Sequence, residues 1–221
     1  MNIALVAATK MEIQPTLRYL SERMYLRKHQ RIDIIITGVG MMNTAYCLTK
    51  KFVQDAPTLA IQAGIAGSYH SIYAPGMAVT LKEDMIGDLG VMEGGDWNDV
   101  FDMGLAGASL HPWSDKKLIN PNKELLKKVP LECVRGVTVN EISSDPAMIC
   151  KLKNKYLPVV ESMEGAAFHF VCIMEKIRFI QIRGISNYVG ERDKSKWKIE
   201  AAVNELNNQL INLINQITDP Y

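Results

Sequence analysis

The sequence predicts a three-layer α/β/α sandwich, in which a mainly parallel sheet is covered by helices on both faces. Short apolar runs alternate with amphipathic helical patterns along almost the whole chain, which is typical of strand-helix-strand units. The runs are continuously apolar, as expected of strands that are buried on both faces. No linker rich in Pro, Ser or Gly divides the 221 residues, so one domain over residues 1–221 is favoured over two smaller ones.

The composition excludes several classes of protein. Lys and Arg total 25 against 24 Asp and Glu, and a net charge of +1 gives no electrostatic reason to expect nucleic acid or an anionic membrane as partner. No apolar run approaches the roughly 20 residues that span a bilayer. The four cysteines are widely spaced without a CxxC pair, and the first residues lack a secretory pattern. We therefore expect a reduced, cytoplasmic protein that binds a small molecule.

The first half of the chain predicts four strands, over residues 3–7, 32–37, 59–63 and 78–81. A helical pattern with Ile13, Leu17 and Leu20 follows the first strand, and a helix from about Met42 to Gln54 follows the second.

Two glycine-containing segments interrupt this pattern. Gly64-Ile65-Ala66-Gly67-Ser68 is predicted as a turn whose glycines let the backbone approach a ligand and leave N–H donors free, although a purely structural turn is the alternative. The spacing matches neither GxGxxG nor a P-loop, so a dinucleotide site is not supported. Residues 87–97 are too rich in glycine and acid for regular structure and are predicted as a functional loop.

The second half repeats the alternation. Strands are predicted over residues 133–139, 156–160 and 179–183, and helices over 124–128, 146–153 and 194–217. Another helical pattern runs through Phe168, Phe170, Val171 and Met174, and Ser143, Ser144 or Asp145 is expected to cap the helix at Pro146.

Acidic side chains follow two of these strands. Glu161 and Glu164 come at the end of the run to Val160, and Glu12 falls just past the first strand. Because α/β sheets bind ligands above the carboxyl ends of their strands, Glu164 is the first candidate for substrate contact. The alternative is that Glu161 and Glu164 only complement the amino end of the next helix.

Four segments, in order and spacing, resemble the nucleoside phosphorylase and nucleosidase superfamily over nearly the whole chain. They are the opening strand with Glu12, Gly64-Ile65-Ala66-Gly67, Met163-Glu164, and Arg183-Gly184-Ile185-Ser186-Asn187. Within it, residues 88–105, 161–167 and 186–193 resemble the futalosine hydrolase family, which removes hypoxanthine from futalosine in menaquinone biosynthesis. The resemblance implies a mixed central sheet, a purine nucleoside substrate, no cofactor or metal, and a homodimer or higher homo-oligomer.

The resemblance also implies roles for the matching residues. Glu164 would accept hydrogen bonds from ribose hydroxyls and favour a positively charged sugar in the transition state. Met163 would pack against the sugar, although a core methionine is the alternative. Glu12 would activate the attacking water. Arg183 would help to orient this water, with a surface salt bridge as the alternative reading.

Two positions discriminate between reactions. Adenine-releasing members of the superfamily have aspartate where this chain has Asn187, and an amide suits a 6-oxopurine because it both donates and accepts. Loop stabilisation is the alternative role for Asn187. Phosphorylases usually have arginine at the place of Gln62, so the neutral side chain favours hydrolysis. Gly64, Ile65 and Asn140, the last beside the segment that matches the family's base-packing residues, are also predicted to contact substrate.

Further expectations concern the loop from Gly87 to Leu105. Trp97 and Phe101 are predicted to form an aromatic wall for the benzoate-bearing tail of futalosine, or else the loop lies at a subunit interface.

His169 and Cys172 share a helix face but lack a complete metal-ligand set. The alternatives to a futalosine hydrolase are a methylthioadenosine/adenosylhomocysteine nucleosidase, a 6-oxopurine phosphorylase and a non-catalytic nucleoside-binding protein.

Overall fold

The structure, a computed structural model that describes residues 1–23 and 31–218, contains a mixed eight-stranded sheet. Its strands and the accompanying hairpin are β1 (Asn2–Ala7), β2 (Arg31–Ile36), β3 (Leu59–Ser68), β4 (Ala78–Asp84), β5 (Gly90–Glu93), β6 (Asp96–Asp99), β7 (Leu118–Ile119), β8 (Cys133–Thr138), β9 (Val160–Ser162) and β10 (Phe179–Tyr188). The helices are α1 (Gln14–Arg23), α2 (Met41–Gln54), α3 (Lys123–Leu126), α4 (Pro146–Tyr156), α5 (Gly165–Met174) and α6 (Ile199–Thr218).

Helices cover both faces of the sheet, which confirms the predicted three layers. The alternation of side chains along β1 shows this directly. Ile3 and Leu5 pack with the apolar face of α6, whereas Ala4 and Val6 pack with residues of α2 and α5 on the opposite face. The sheet is mixed because β3 pairs parallel with β10 and antiparallel with β9.

Part of this sheet closes on itself, which the sequence did not predict. Strand β10 pairs with both β3 and β4, β4 pairs with β8, β8 with β9, and β9 again with β3. These five strands form a closed ring, and β1 and β2 extend the sheet outward from β3. The ring brings the ends of β3, β9 and β10 together.

Five predicted element boundaries are wrong. Helix α6 begins at Ile199 and not at residue 194, because Lys194–Lys196 form a separate 3₁₀ helix. Residues 64–68 are not a turn, because β3 continues through both glycines to Ser68. Residues 87–97 contain most of the β5–β6 hairpin. Helix α4 extends to Tyr156, so the next strand begins only at Val160. Strand β10 continues to Tyr188, so Asn187 lies within the strand and not after it.

Helix α4 begins where the sequence predicts. Of the three candidate caps, Asp145 is the one whose side chain accepts a hydrogen bond from the first turn, from the Met148 N–H at 2.9 Å.

Candidate active site

A cavity of about 250 Å³ lies where β1, β3, β9 and β10 end. It brings together five of the predicted site residues, namely Glu12, Ile65, Met163, Glu164 and Asn187. They come from four separate segments of the chain, since only Met163 and Glu164 are adjacent in sequence, so the cavity exists only in the folded chain.

Glu12 enters the cavity from a short 3₁₀ helix, Met11–Ile13, that follows β1. Its carboxylate is buried and accepts three hydrogen bonds. The Ile65 N–H donates to Oε1 at 3.0 Å, and the N–H and Oγ1 of Thr9 both donate to Oε2 at 2.9 Å. Since each carboxylate oxygen has two acceptor positions, one position remains free on Oε1. Glu12 can therefore accept a proton from a water molecule.

Glu164 is equally well oriented. Its Oε1 accepts the Gly40 N–H at 3.1 Å, and its Oε2 accepts Nη1 of Arg183 at 3.4 Å. It directly precedes α5, and its side chain makes no capping hydrogen bond to that helix. One acceptor position remains on each oxygen, which suits two neighbouring hydroxyl groups.

Arg183 lies behind the two carboxylates and is 1% exposed, which excludes the surface salt bridge. Besides Glu164, its Nη2 contacts Oε1 of Gln62 at 3.1 Å. Gly64 makes room for this arrangement, because a Cβ there would lie 2.4 Å from Arg183 Nη1 and 3.0 Å from Glu12 Oε1. Gly64 thus contributes by having no side chain, while Ile65 contributes its backbone N–H.

Asn187 reaches the cavity because of an irregularity in β10. The register between β10 and β3 shifts between Ile185 and Asn187, and a bulge of this kind re-aims side chains. Consequently the consecutive residues Ser186 and Asn187 both line the cavity. Ser186 donates its hydroxyl to Asn187 Oδ1 at 2.7 Å, and Asn187 Nδ2 donates to the Tyr188 carbonyl at 2.9 Å. The amide keeps a further donor and acceptor for a ligand.

Asn140 is not brought to this cavity. It is exposed, and its Nδ2 donates to Oδ1 of Asp88 at 3.3 Å. Trp97 and Phe101 do not line the cavity either. Trp97 donates to the Tyr156 hydroxyl at 3.1 Å, and Phe101 packs edge-on against Trp113 at 5.1 Å between ring centroids. The tail wall predicted for them therefore has no support in the described chain.

Several lining residues were missed by sequence reasoning. Thr9 could have been found, since Thr9 and Glu12 have the Ser/Thr-x-x-Glu spacing in which the two residues hydrogen-bond each other. Glu161 was considered only as a helix complement. Trp197 and Arg192 also line the cavity, and the Arg192 guanidinium lies 5.5 Å from the Trp197 ring centroid. Arg192 belongs to the segment 186–193 that resembles the futalosine hydrolase family, whereas no sequence pattern indicates that Trp197 lines the site.

A buried polar layer lies beneath the site. Asp84 accepts hydrogen bonds from the Thr138 hydroxyl and the Met85 N–H, both at 2.9 Å, and burial raises its pKa to about 6. Burial lowers the pKa of His169 to about 4, and one ring nitrogen of His169 lies 2.8 Å from the Leu118 carbonyl oxygen. These contacts make His169 a core residue.

Within residues 1–23 and 31–218, no three His, Cys, Asp or Glu side chains lie close enough together to hold a metal ion. Over the same residues, no helix is long and apolar enough to cross a membrane.

Comparisons with known proteins agree with this geometry. Residues 3–218 match the sequence profile of the phosphorylase superfamily. The chain is 29% identical over 174 residues to a futalosine hydrolase from Thermus thermophilus, covering 77% of this chain and 75% of that protein.

Two solved structures from Helicobacter pylori share the fold. A 5'-methylthioadenosine/S-adenosylhomocysteine nucleosidase superimposes with a TM-score of 0.80 at 14% identity, and a futalosine hydrolase with a TM-score of 0.79 at 15% identity. Each alignment covers 98% of both chains. At such low identity the two likenesses establish the fold and do not choose between the two substrates.

Proposed function

Since the chain belongs to the phosphorylase superfamily and is an enzyme that hydrolyses N-glycosidic bonds, we propose that its substrate is futalosine and its first product hypoxanthine. The observation that carries this proposal is that the Asn187 amide opens into the same cavity as the Glu12 and Glu164 carboxylates. The similarity to a futalosine hydrolase over three quarters of both chains supports the same substrate.

In this proposal the two carboxylates divide the chemistry of bond cleavage. The transition state has oxocarbenium character, so a negative charge beside the ribose stabilises it. The two free acceptor positions of Glu164 receive the neighbouring ribose hydroxyls, with Met163 packed against the sugar. The free position on Oε1 of Glu12 receives a proton from the attacking water.

Asn187 serves the departing base. Its free N–H donates to O6 of hypoxanthine, and its Oδ1 accepts a hydrogen bond from N7–H once a water molecule has protonated N7 of the departing base. An aspartate here would oppose O6 with a second acceptor. A buried polar group without a partner costs about 1–3 kcal/mol, which is enough to reverse a preference between 6-oxo and 6-amino bases.

The charges of the cavity favour water over phosphate as the nucleophile. Its charged lining residues are Glu12, Glu161, Glu164 and Glu191 against one cation, Arg192, so the excess of negative charge repels an anion. Arg183, the buried cation nearby, already contacts Glu164 and Gln62. Gln62 itself is neutral and buried, so it does not offer the charged pair of N–H donors with which an arginine binds phosphate.

The test is base release by the purified protein from futalosine, inosine and methylthioadenosine in parallel, each with and without phosphate. We expect hypoxanthine from futalosine at a rate that phosphate does not change. Glu12→Gln should abolish most of this activity, and Glu22→Gln, at an exposed position on α1, is the matched control. Adenine release from methylthioadenosine as the main activity would replace the proposal by the adenine-releasing alternative. A requirement for phosphate would make the enzyme a phosphorylase.

A further inference from the structure

Glu161 is a buried carboxylate in the same cavity to which the mechanism above gives no role. It is 7% exposed, lies in β9 and lines the cavity next to Ser162 and Met163. A buried carboxylate is costly unless it is hydrogen-bonded, so its partners indicate which of its acceptor positions are available.

Two donors from the protein hold this carboxylate. The Tyr69 hydroxyl donates to Oε2 at 2.6 Å, and the Ser143 N–H donates to Oε1 at 3.0 Å. Burial and the charge of Glu161 raise the pKa of Tyr69, so the phenol stays a donor. Two of the four acceptor positions are thus used, and two remain for a ligand in the cavity.

The register of the sheet places Glu161 opposite Asn187. Gly67 of β3 pairs with Glu161 of β9 on one side and with Asn187 of β10 on the other. Neighbouring strands lie about 4.8 Å apart, so the two main chains are separated by roughly 10 Å across Gly67. Since both side chains line the cavity, a base bound between these strands can contact the amide and the carboxylate at the same time.

This juxtaposition distinguishes the two kinds of purine. A 6-oxopurine carries a hydrogen on N1 and donates there, whereas N1 of adenine is an acceptor. We propose that Glu161 accepts the N1–H of the base and, together with Asn187, selects 6-oxopurines. This inference rests on the proposed function, because it takes the Asn187 end of the cavity as the position of the base.

The experiment compares the binding of free hypoxanthine and free adenine by calorimetry in the wild type and in Glu161→Gln. In the variant, the Ser143 N–H can be paired only by the amide oxygen, which leaves the NH₂ group to face the base. We expect the ratio of the two affinities to shift toward adenine by roughly 10- to 100-fold. Glu141→Gln is the control, because it makes the same change at an exposed residue two positions before Ser143. It should leave the ratio unchanged.

Two results would overturn the proposal. The first is a Glu161→Gln protein with the wild-type ratio. The second needs no variant, because 1-methylhypoxanthine lacks the N1–H and should bind the wild type at least about 10-fold more weakly than hypoxanthine. Equal binding of hypoxanthine and 1-methylhypoxanthine would show that Glu161 does not accept a hydrogen bond from N1. This result does not depend on whether the Gln variant folds.

Turnover of futalosine, measured in parallel, separates this proposal from the one it rests on. If the wild type cleaves futalosine and Glu161→Gln keeps the wild-type ratio of bases, only the role of Glu161 fails. If the wild type does not cleave futalosine but prefers hypoxanthine to adenine through Glu161, the substrate proposal fails. The proposal that Glu161 accepts the N1–H of the base is then retained.

Discussion

At the scale of single residues, the two central carboxylates differ in how many acceptor positions they leave to a ligand. Glu12 receives three hydrogen bonds from Thr9 and Ile65, whereas Glu164 receives two, from Gly40 and Arg183. One free position suits a single water, and two suit a pair of ribose hydroxyls. The different roles proposed for the two carboxylates therefore follow from the groups that hydrogen-bond them, and not from a difference in their own chemistry.

Glu12→Gln should lower kcat for hypoxanthine release by about 10²- to 10⁴-fold, because an amide cannot take the proton of the attacking water. The Michaelis constant should change little, since Glu12 is proposed to contact the water and not the nucleoside. Steady-state kinetics with futalosine measure both constants. A variant that retains kcat would remove Glu12 from the role of general base.

Asn187→Asp should move the enzyme toward adenine. We expect the ratio of kcat/KM for futalosine to that for its 6-amino analogue to fall by about 5- to 150-fold, since a buried mismatch costs about 1–3 kcal/mol. Asn140→Ala is the control, because Asn140 lies outside the cavity and its loss should not alter the ratio. If the two variants behaved alike, the preference would not originate at Asn187.

Sequence reasoning identified Glu12, Glu164 and Asn187 because each stands in a recognisable pattern at or near the end of a strand. It placed Asn140 by the same kind of adjacency, and the structure puts that side chain on Asp88. Glu161 could not be found in this way. Its position opposite Asn187 depends on pairing between three strands that are distant in sequence.

At the scale of elements, α6 holds the segment that carries Glu12. Asn207 of α6 is 1% exposed and donates to the Glu12 carbonyl at 2.8 Å, while its Oδ1 accepts the Thr16 N–H at 3.1 Å and the Thr16 hydroxyl at 2.6 Å. One amide thus fixes the 3₁₀ helix and the start of α1 against the last helix. The position of Glu12 thus depends on a contact between residues 195 apart in sequence.

Asn207→Ala should lower the free energy of unfolding by about 1–3 kcal/mol, because it leaves the buried groups of Thr16 and Glu12 without a partner. The variant should also lose kcat, as the Glu12 segment is no longer fixed. Urea denaturation and steady-state kinetics test the two effects. Asn208→Ala, at an exposed position one residue on, should change neither quantity appreciably. Stability equal to wild type in Asn207→Ala would contradict this account of the segment.

Helices were easier to predict than strand ends. The period of apolar residues located both ends of α2 and the end of α6 to within one residue, since packing on one face dictates that period. The carboxyl-terminal half of β3 was missed because Gly64 and Gly67 read locally as a turn, and the predicted strand at β10 ended before Gly184. These glycines instead make space for neighbouring residues, as a Cβ at Gly184 would lie 2.4 Å from the carbonyl oxygen of Ala202 in α6.

At the scale of the whole molecule, the buried polar layer makes stability depend on pH in two opposing ways. The folded-state pKa of Asp84 is raised to about 6 from 3.8, so the native protein holds a proton that the unfolded chain releases between pH 4 and 6. This contribution to stability is lost as pH rises. His169, with a pKa lowered to about 4 from 6.5, contributes stability above pH 6.5 that is lost as pH falls.

Asp84→Asn should remove the contribution of Asp84 to the pH dependence of stability and leave that of His169. Relative to wild type, the free energy of unfolding of the variant should rise by about 3 kcal/mol between pH 4 and 6, because only the wild type loses the contribution of Asp84 there. Denaturant titrations of both proteins across that range give the difference directly. A difference that is constant with pH would mean that Asp84 does not hold a proton in the native state.

The layered architecture was predictable, because alternating apolar runs leave few other ways to bury a sheet. The ring of five strands was not. It depends on β10 pairing with β3 and β4 at once and on β9 running antiparallel to β3, and neither pairing leaves a periodic signal in the sequence.

The ring also determines which parts of the site can move. Strand β3 has hydrogen-bonded neighbours on both sides, β1 and β10 near its start and β9 and β10 near its end. Its backbone amides should therefore exchange with deuterium only when the whole protein unfolds. Met11 and Val39 are 67% and 50% exposed at the rim, and residues 190–197 lie outside the sheet. We therefore expect the proposed nucleoside to enter, and the base to leave, by local opening of the rim, while β3 keeps its hydrogen bonds.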